Sequence, residues 1–273
     1  MNCKAKVKIE AEVYTAIWML VLFKGTLSGP GHPDNPAQRV PGYKSAIQYR
    51  VNRRMNTADL HKAMPLLRKQ VEGLELPWLE NMASRSPRDP YRVLISCILS
   101  LRTQDSTTGP ASARLFSLAP DACAMSGLSV GRIEKTIYPV GFYKVKARRI
   151  RDISRTLVKD YGSVVPDNLD ELLKFKGVGR KTANLVLTLG HGKPGICVDT
   201  HVHRITNRWG YVTTKTPEQT ELALREKLPV KYWISINGLL VAFGQNICRP
   251  LSPLCSRCAV SVFCAGAGVT RHR

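Results

Sequence analysis

Apolar residues recur at intervals of three and four along most of the chain after Leu60, and this period restricts the fold more than any other feature. It is clear in residues 130–137 and again in residues 150–158. Such spacing puts apolar side chains on one face of an α-helix, whereas strands need alternation, which is scarce here. Residues 93–101 are apolar nearly all round, which predicts a helix buried at the centre of a bundle. The sequence therefore predicts an all-α protein.

Capping residues predict where two of these helices begin. Thr216 precedes Pro217 and stands three residues before Gln219, the pattern of a capping box with proline at the first helical position. Asp167 is predicted to cap a helix over residues 169–175.

The charge of the chain indicates the kind of partner it binds. Lysine and arginine number 41 against 20 aspartate and glutamate, a net charge of +21, and 44% of the residues are hydrophobic. That apolar content is enough for a folded core. Neutralising phosphates releases counterions, so a basic protein favours nucleic acid, with an anionic membrane surface as the second choice. The longest apolar run, residues 16–23, is too short to span a membrane, so no transmembrane helix is predicted.

Residues 1–54 differ from the rest and are predicted to be an extension, disordered or dispensable. A basic start precedes an apolar stretch, as in a signal peptide, but Glu10 and Glu12 interrupt it and no small-x-small cleavage site follows. Residues 29–36 are too rich in glycine and proline for a helix or strand.

A helix, a Gly-x-Gly turn and a second helix are predicted in residues 172–187. Gly177 and Gly179 permit a tight turn around Val178, and the helix beginning near Arg180 presents its positive end to an anion. These residues are candidates for binding phosphate. An ordinary helix-helix turn is the alternative.

Lys181 lies in the first turn of that second helix. The helix dipole and the neighbouring charge of Arg180 both favour the neutral amine, which is the nucleophilic form. Lys181 is therefore a candidate nucleophile, and a plain surface lysine is the alternative.

Asp199 stands in the segment 198–204, Val-Asp-Thr-His-Val-His-Arg. Its carboxylate is suited to stabilise a sugar cation or to manage a proton. As an isolated residue, an aspartate before threonine is more often a helix cap. The Asp-x-His-x-His pattern also resembles the ligands of a metal-dependent hydrolase, but the other ligands would have to come from upstream.

Four cysteines crowd the C-terminus with gaps of six, two and five residues: Cys248, Cys255, Cys258 and Cys264. Four clustered thiolates suit zinc or an iron–sulfur cluster. The other four cysteines are scattered, and this asymmetry favours a reducing compartment with a metal site over a disulfide framework.

Together the Gly-Val-Gly-Arg-Lys turn, the Val-Asp-Thr-His segment and the cysteine run closely resemble the endonuclease III family of helix-hairpin-helix DNA glycosylases. The resemblance covers the chain from Met55 onward and includes Gly141-Phe142-Tyr143 followed by Lys146-Ala147. It implies that the four cysteines hold a [4Fe–4S] cluster. It also implies that Lys181 is the catalytic nucleophile and Asp199 its partner.

The resemblance implies two helical domains with the active site between them. The first is a six-helix domain over residues 83–193. The second, an iron–sulfur domain, joins residues 56–82 with residues 194–273. Lys181 and Asp199 are expected to face each other across the cleft, where duplex DNA lies.

The function implied is that of a bifunctional DNA glycosylase and abasic-site lyase for damaged pyrimidines in duplex DNA. The lysine argues against a monofunctional enzyme such as the adenine mismatch glycosylase, and two filled catalytic positions argue against a non-catalytic DNA-binding module. A monomer in the bacterial cytoplasm, with no membrane partner, is expected, although an organelle stays open.

Two loops are expected to fill the gap left by a flipped base. The family commonly carries glutamine where this chain has Arg102, and Gln104 follows two residues later. The apolar tip at Phe142 is the second candidate wedge. Arg249 lies in the loop between the first two cysteines and is a candidate phosphate contact.

Overall fold

The computed structural model describes residues 54–74, 76–84 and 88–273, and every regular element in these ranges is helical. The all-α prediction is confirmed. The predicted extension, residues 1–54, lies outside the described residues except for Arg54.

The described helices follow one another along the chain with short connections. In order they are α1 (Thr57–Val71), α2 (Trp78–Ser84), α3 (Pro90–Ser100), α4 (Asp105–Leu118), α5 (Ala122–Ser126), α6 (Val130–Ile137), α7 (Tyr143–Asp160), α8 (Leu169–Leu173), α9 (Arg180–Leu185), α10 (Thr200–Arg208), α11 (Pro217–Lys227) and α12 (Ile236–Asn246). A π-helical turn, Val186–Gly190, continues α9, and 3₁₀ turns lie at Val230–Tyr232, Cys255–Arg257 and Ser261–Phe263.

One of the two predicted caps is right and the other is wrong. Thr216 caps α11, because its hydroxyl accepts a hydrogen bond of 3.2 Å from the backbone N–H of Gln219. The cap of α8 is Asn168 rather than Asp167, because Asn168 stands directly before the first helical residue and its side chain accepts from the N–H of Glu171 at 2.9 Å. Asp167 instead pairs with Lys193.

The first hydrophobic core is built from α2 to α9, with α3 at its centre. All of the residues from Val93 to Leu99 on α3 are buried, as predicted from their apolar run. The long helix α7 packs along α5 and α6 and contributes Ile150, Ile153 and Leu157. Phe175 and Val178 are buried in this core and anchor the turn between α8 and α9.

The second core joins the first described helix to the last ones. α1 packs on α12, and α10 and α11 complete the cluster around Trp209, Tyr211 and Phe243. The backbone N–H of Met55 donates to the carbonyl of Trp209 at 3.0 Å, which ties the start of α1 to the end of α10. The predicted domain boundaries stay a prediction, and Leu79, which the prediction assigns to the second domain, packs in the first core.

Polar contacts link the two cores beside the α8–α9 turn. Arg180 on α9 forms two hydrogen bonds with the carboxylate of Glu221 on α11, at 2.8 and 2.7 Å. The amide oxygen of Asn184 accepts from Arg225 at 3.0 Å and from the N–H of Ile196 at 3.2 Å. Glu221 is 3% exposed, so this is a desolvated network in which each charge has a partner.

Among the described residues, no helix combines the length and the apolarity that crossing a bilayer requires.

Candidate active site

The turn between α8 and α9 has the shape that its glycines predict. Gly177 has φ = 92°, a left-handed conformation that glycine adopts without a steric penalty. Gly179 is the N-cap of α9 and has no side chain to satisfy the first N–H groups of the helix. The side chain of Val178 is buried, so it packs the turn, and its N–H donates to the carbonyl of Phe175 at 3.0 Å. Arg149 lies against Gly177, a basic neighbour that the sequence pattern does not reveal because α7 brings it there.

Lys181 is exposed in the first turn of α9. The charge of Arg180, which was expected to act on this amine, is compensated, because its guanidinium is bound by Glu221. Arg180 is therefore not a free positive charge beside the amine.

Asp199 is the N-cap of α10, and it also keeps one oxygen available. Its Oδ1 accepts from the N–H groups of His201 at 2.8 Å and Val202 at 2.9 Å, an arrangement that stabilises a carboxylate. Within the described part of the chain, no group donates to Oδ2. The cap and the functional interpretation are therefore compatible. Asp199 and the two following histidines form no metal-ion site among the described residues.

The charges of Lys181 and Asp199 both influence the pKa of one buried thiol, that of Cys197. Burial raises the pKa of Cys197 well above its usual value, while the ammonium of Lys181 lowers it and the carboxylate of Asp199 raises it. Burial likewise raises the pKa of Cys97 to about 12, against a lowering effect of Lys181. Lys181 thus influences the pKa of both thiols, whereas Asp199 influences that of Cys197.

Glu80 on α2 is a further carboxyl group in this region. Burial, and then the charge of Asp199, raise its pKa from 4.5 to about 7. The sequence gives no signal for it, because an isolated glutamate in a seven-residue helix belongs to no motif.

The two predicted wedge loops lie side by side. The guanidinium carbon of Arg102 is 5.8 Å from the centre of the Phe142 ring, and both side chains are exposed. Both residues have left-handed backbones, with φ of 52° and 57°. The buried amine of Lys146 fixes the first loop by donating to the carbonyls of Leu99 and Leu101 at 2.8 and 2.6 Å. Gln104 is exposed and precedes α4.

The four C-terminal cysteines line one cavity, together with apolar side chains such as Trp209 and Phe243. Two of their sulfurs accept hydrogen bonds: Cys248 from Arg208 at 3.4 Å and Cys264 from the N–H of Gly266 at 3.3 Å. None of the four forms a disulfide. Arg249 beside them is exposed.

Comparison with known proteins agrees with this arrangement. The profile of the HhH-GPD superfamily base excision DNA repair proteins matches residues 95–230. Endonuclease III of Thermotoga maritima is 49% identical over 190 residues, covering 68% of this chain and 89% of that protein. The chloroplastic endonuclease III homolog 2 of Arabidopsis thaliana is 43% identical over 188 residues, 65% of this chain, but this chain covers 48% of that longer protein.

The solved structures agree in fold. A trapped covalent intermediate of endonuclease III with DNA matches with a TM-score of 0.66 and 28% identity, over 76% of this chain and 94% of that one. A thermostable thymine-DNA glycosylase matches equally, with a TM-score of 0.66 and 26% identity, over 76% and 95% of the two chains. With its helical fold, its Gly-x-Gly turn and its near relatives, the chain belongs to the endonuclease III family of base excision repair DNA glycosylases.

Proposed function

We propose that this glycosylase is bifunctional: it removes oxidised or otherwise damaged pyrimidines from duplex DNA and then cleaves the strand 3′ to the abasic site. The observation that carries the proposal is an exposed lysine in the first turn of α9, together with Asp199, whose Oδ2 accepts from no donor among the described residues. A monofunctional glycosylase, which uses water, has no need of an amine at this place.

The chemistry requires a flipped nucleotide, because C1′ is hidden in a stacked duplex. Lys181 as the neutral amine attacks C1′ while the free oxygen of Asp199 stabilises the positive charge that grows on the sugar. The base departs, and the sugar ring opens to an imine with Lys181. The imine acidifies the C2′ proton, so β-elimination breaks the strand.

Backbone N–H groups are proposed to hold the DNA backbone. Gly177 and Gly179 of the turn around Val178, and the first N–H groups of α9, including that of Arg180, are proposed to bind a phosphate, since no side chain caps α9. The N–H of Val178 itself donates to the carbonyl of Phe175 at 3.0 Å. The side chains of Arg149 and Arg249 add positive charge near the turn and near the cysteine loop.

The four cysteines fit a [4Fe–4S] cluster. The four thiols line a shared cavity, and N–H groups donate to two of the sulfurs. Donors to sulfur are typical of iron–sulfur sites. When bound, the cluster would cross-link Cys255, Cys258 and Cys264 to Cys248, which follows the end of α12.

The wider setting also stays a proposal. We expect a monomer acting on damaged double-stranded DNA in the bacterial cytoplasm, with the active site between the segments 83–193 and 194–273.

Borohydride trapping tests the lysine mechanism. Purified enzyme is incubated with a duplex that carries thymine glycol, and sodium borohydride reduces any imine to a stable adduct. We expect an adduct from the natural enzyme, and a loss of at least about 1,000-fold in Lys181→Ala, because removing a nucleophile removes the covalent route.

Lys176→Ala is the matched control, since Lys176 is also an exposed lysine beside the turn. At saturating enzyme its adduct yield should equal that of the natural enzyme. An undiminished adduct in Lys181→Ala contradicts the assignment. Base release without any adduct in the natural enzyme identifies a monofunctional glycosylase instead.

A further inference from the structure

Glu80 projects from α2 toward the start of α12. A Cβ atom placed on Gly238 would lie only 1.7 Å from Oε2 of Glu80, so the carboxyl occupies the space that a side chain would take there. The preceding residue, Asn237, donates to the carbonyl of Cys197 at 3.3 Å. Cys197 stands two residues before Asp199 on the same segment. Glu80 therefore packs against the start of α12, and the neighbouring Asn237 binds the segment that carries Asp199.

The carboxyl of Glu80 has no structural partner that would explain its position. It is half-buried, and among residues 54–74, 76–84 and 88–273 no hydrogen-bond donor or cation binds it. A desolvated carboxylate without a partner lowers the stability of the fold. A carboxyl group held in that state is a candidate for proton transfer.

The surrounding charges agree with that role. Burial and the charge of Asp199 raise the pKa of Glu80 to about 7, so both of its protonation states are populated at neutral pH. Burial raises the pKa of the Cys197 thiol, the charge of Lys181 lowers it, and the charges of Asp199 and Glu80 raise it further. Cys97 and Cys197 themselves stay protonated, since burial raises the pKa of each thiol. Glu80 is thus suited to give up a proton where Lys181 and Asp199 act.

We propose that Glu80 is a third catalytic residue, which in its protonated form donates a proton to the departing base. This rests on the proposed function, in which Lys181 attacks C1′. The bond from Lys181 Nζ to C1′ forms, and the glycosidic C–N bond breaks with its electron pair going to the base. The base takes the proton of Glu80, the lysine nitrogen carries the positive charge, and Glu80 becomes a carboxylate. Because Glu80 is partly open to solvent, water restores its proton.

The proposal has a definite pH dependence. The acid form of Glu80 is present below a pH of about 7 and is lost above it. Cleavage at a preformed abasic site has no base to protonate, whereas both reactions need Lys181. The ratio of the excision rate to the abasic-site cleavage rate therefore cancels the contribution of Lys181, and it should fall about tenfold per pH unit above 7.

Single-turnover kinetics between pH 6 and 9 provide the test. One duplex carries thymine glycol and a second carries an abasic site at the same position. We expect Glu80→Gln to slow excision by about 100-fold or more at pH 7 and to make the ratio independent of pH, because glutamine has no proton to donate. Cleavage of the abasic site should stay within about threefold of the natural rate. Glu226→Gln, an exposed position on α11, should leave both rates and the pH profile unchanged.

Different results would overturn the role of Glu80 and the proposed lysine mechanism. Equal slowing of both reactions in Glu80→Gln, or no slowing of either, overturns the role of Glu80. Thermal melting of each variant checks the fold, and glutamine should not lower the melting temperature because it removes a desolvated charge. Failure of the natural enzyme to give a borohydride adduct with the abasic duplex would overturn the lysine mechanism instead, whatever Glu80→Gln does.

Discussion

Arg102 and Phe142 each sit in a backbone conformation that is uncommon for their residue types. Left-handed φ values at non-glycine residues store strain, and such strain clusters at binding and catalytic sites. Here the strained loop is supported by buried Lys146, which donates to the carbonyls of Leu99 and Leu101 before Arg102 and to the hydroxyl of Thr103 after it. The result is a rigid base with two exposed side chains, which suits insertion into a duplex.

Arg102→Ala should therefore slow excision of a paired lesion much more than cleavage at a preformed abasic site. Arginine can both stack in the vacated space and donate to the orphaned base, and the lost stacking is worth a few kcal/mol. Rates measured with the lesion opposite a mismatched base should recover part of the loss, because less pairing energy has to be replaced. Glu80→Gln should show no such recovery.

Arg148→Ala, at an exposed position on α7, is the comparison for a general loss of charge. Equal slowing of both reactions by Arg102→Ala, with a smaller salt dependence of binding, would mark Arg102 as a phosphate contact.

At the scale of the element, the two glycines of the α8–α9 turn have different roles. Gly177 needs its positive φ, and a Cβ there would lie 2.9 Å from the side chain of Arg149. Gly179 has an ordinary φ of −97°, and nothing lies within 4 Å of a Cβ placed there. Gly177 is therefore required by the fold itself, whereas Gly179 leaves open space in front of the N-terminus of α9.

Gly179→Ala should weaken DNA binding without lowering stability, because the added methyl group meets the phosphate and not the protein. We expect a Kd at least fivefold higher, on the order of 1 kcal/mol, and an unchanged melting temperature. Gly177→Ala should lower the melting temperature, since a left-handed alanine costs about 1–2 kcal/mol. Fluorescence anisotropy and thermal melting measure the two effects. Unchanged DNA affinity in Gly179→Ala would show that no phosphate approaches the turn.

At the scale of the whole molecule, the ends of the described chain depend on each other. α1 completes the core formed by α10 to α12, and Gln70 on α1 donates to the carbonyl of Arg257 and accepts from the N–H of Ala259. The cysteine segment has short 3₁₀ turns and little core of its own, apart from buried Val260. Cross-links through a cluster would supply the stability that packing does not.

The purified protein should show a broad visible absorbance and bound iron, both lost on acid treatment. Cys258→Ser should lose iron and make the segment after residue 247 sensitive to protease, because metal-binding energy is folding energy. Cys97→Ser, in the first core, should keep its iron. A colourless protein that contains zinc would contradict the cluster.

The sequence by itself determined the helical class, the Gly-x-Gly turn, the cysteine set and the positions of Lys181 and Asp199. These features depend on periods and spacings within about twenty residues, so neighbouring residues encode them. Tertiary structure alone decided which side chains meet across the site. Arg180 is paired with Glu221, 41 residues away. Glu80 lies on a separate helix from Asp199, yet the charge of Asp199 contributes to its raised pKa. Such contacts arise only when helices distant in the chain pack together, and no local pattern records them.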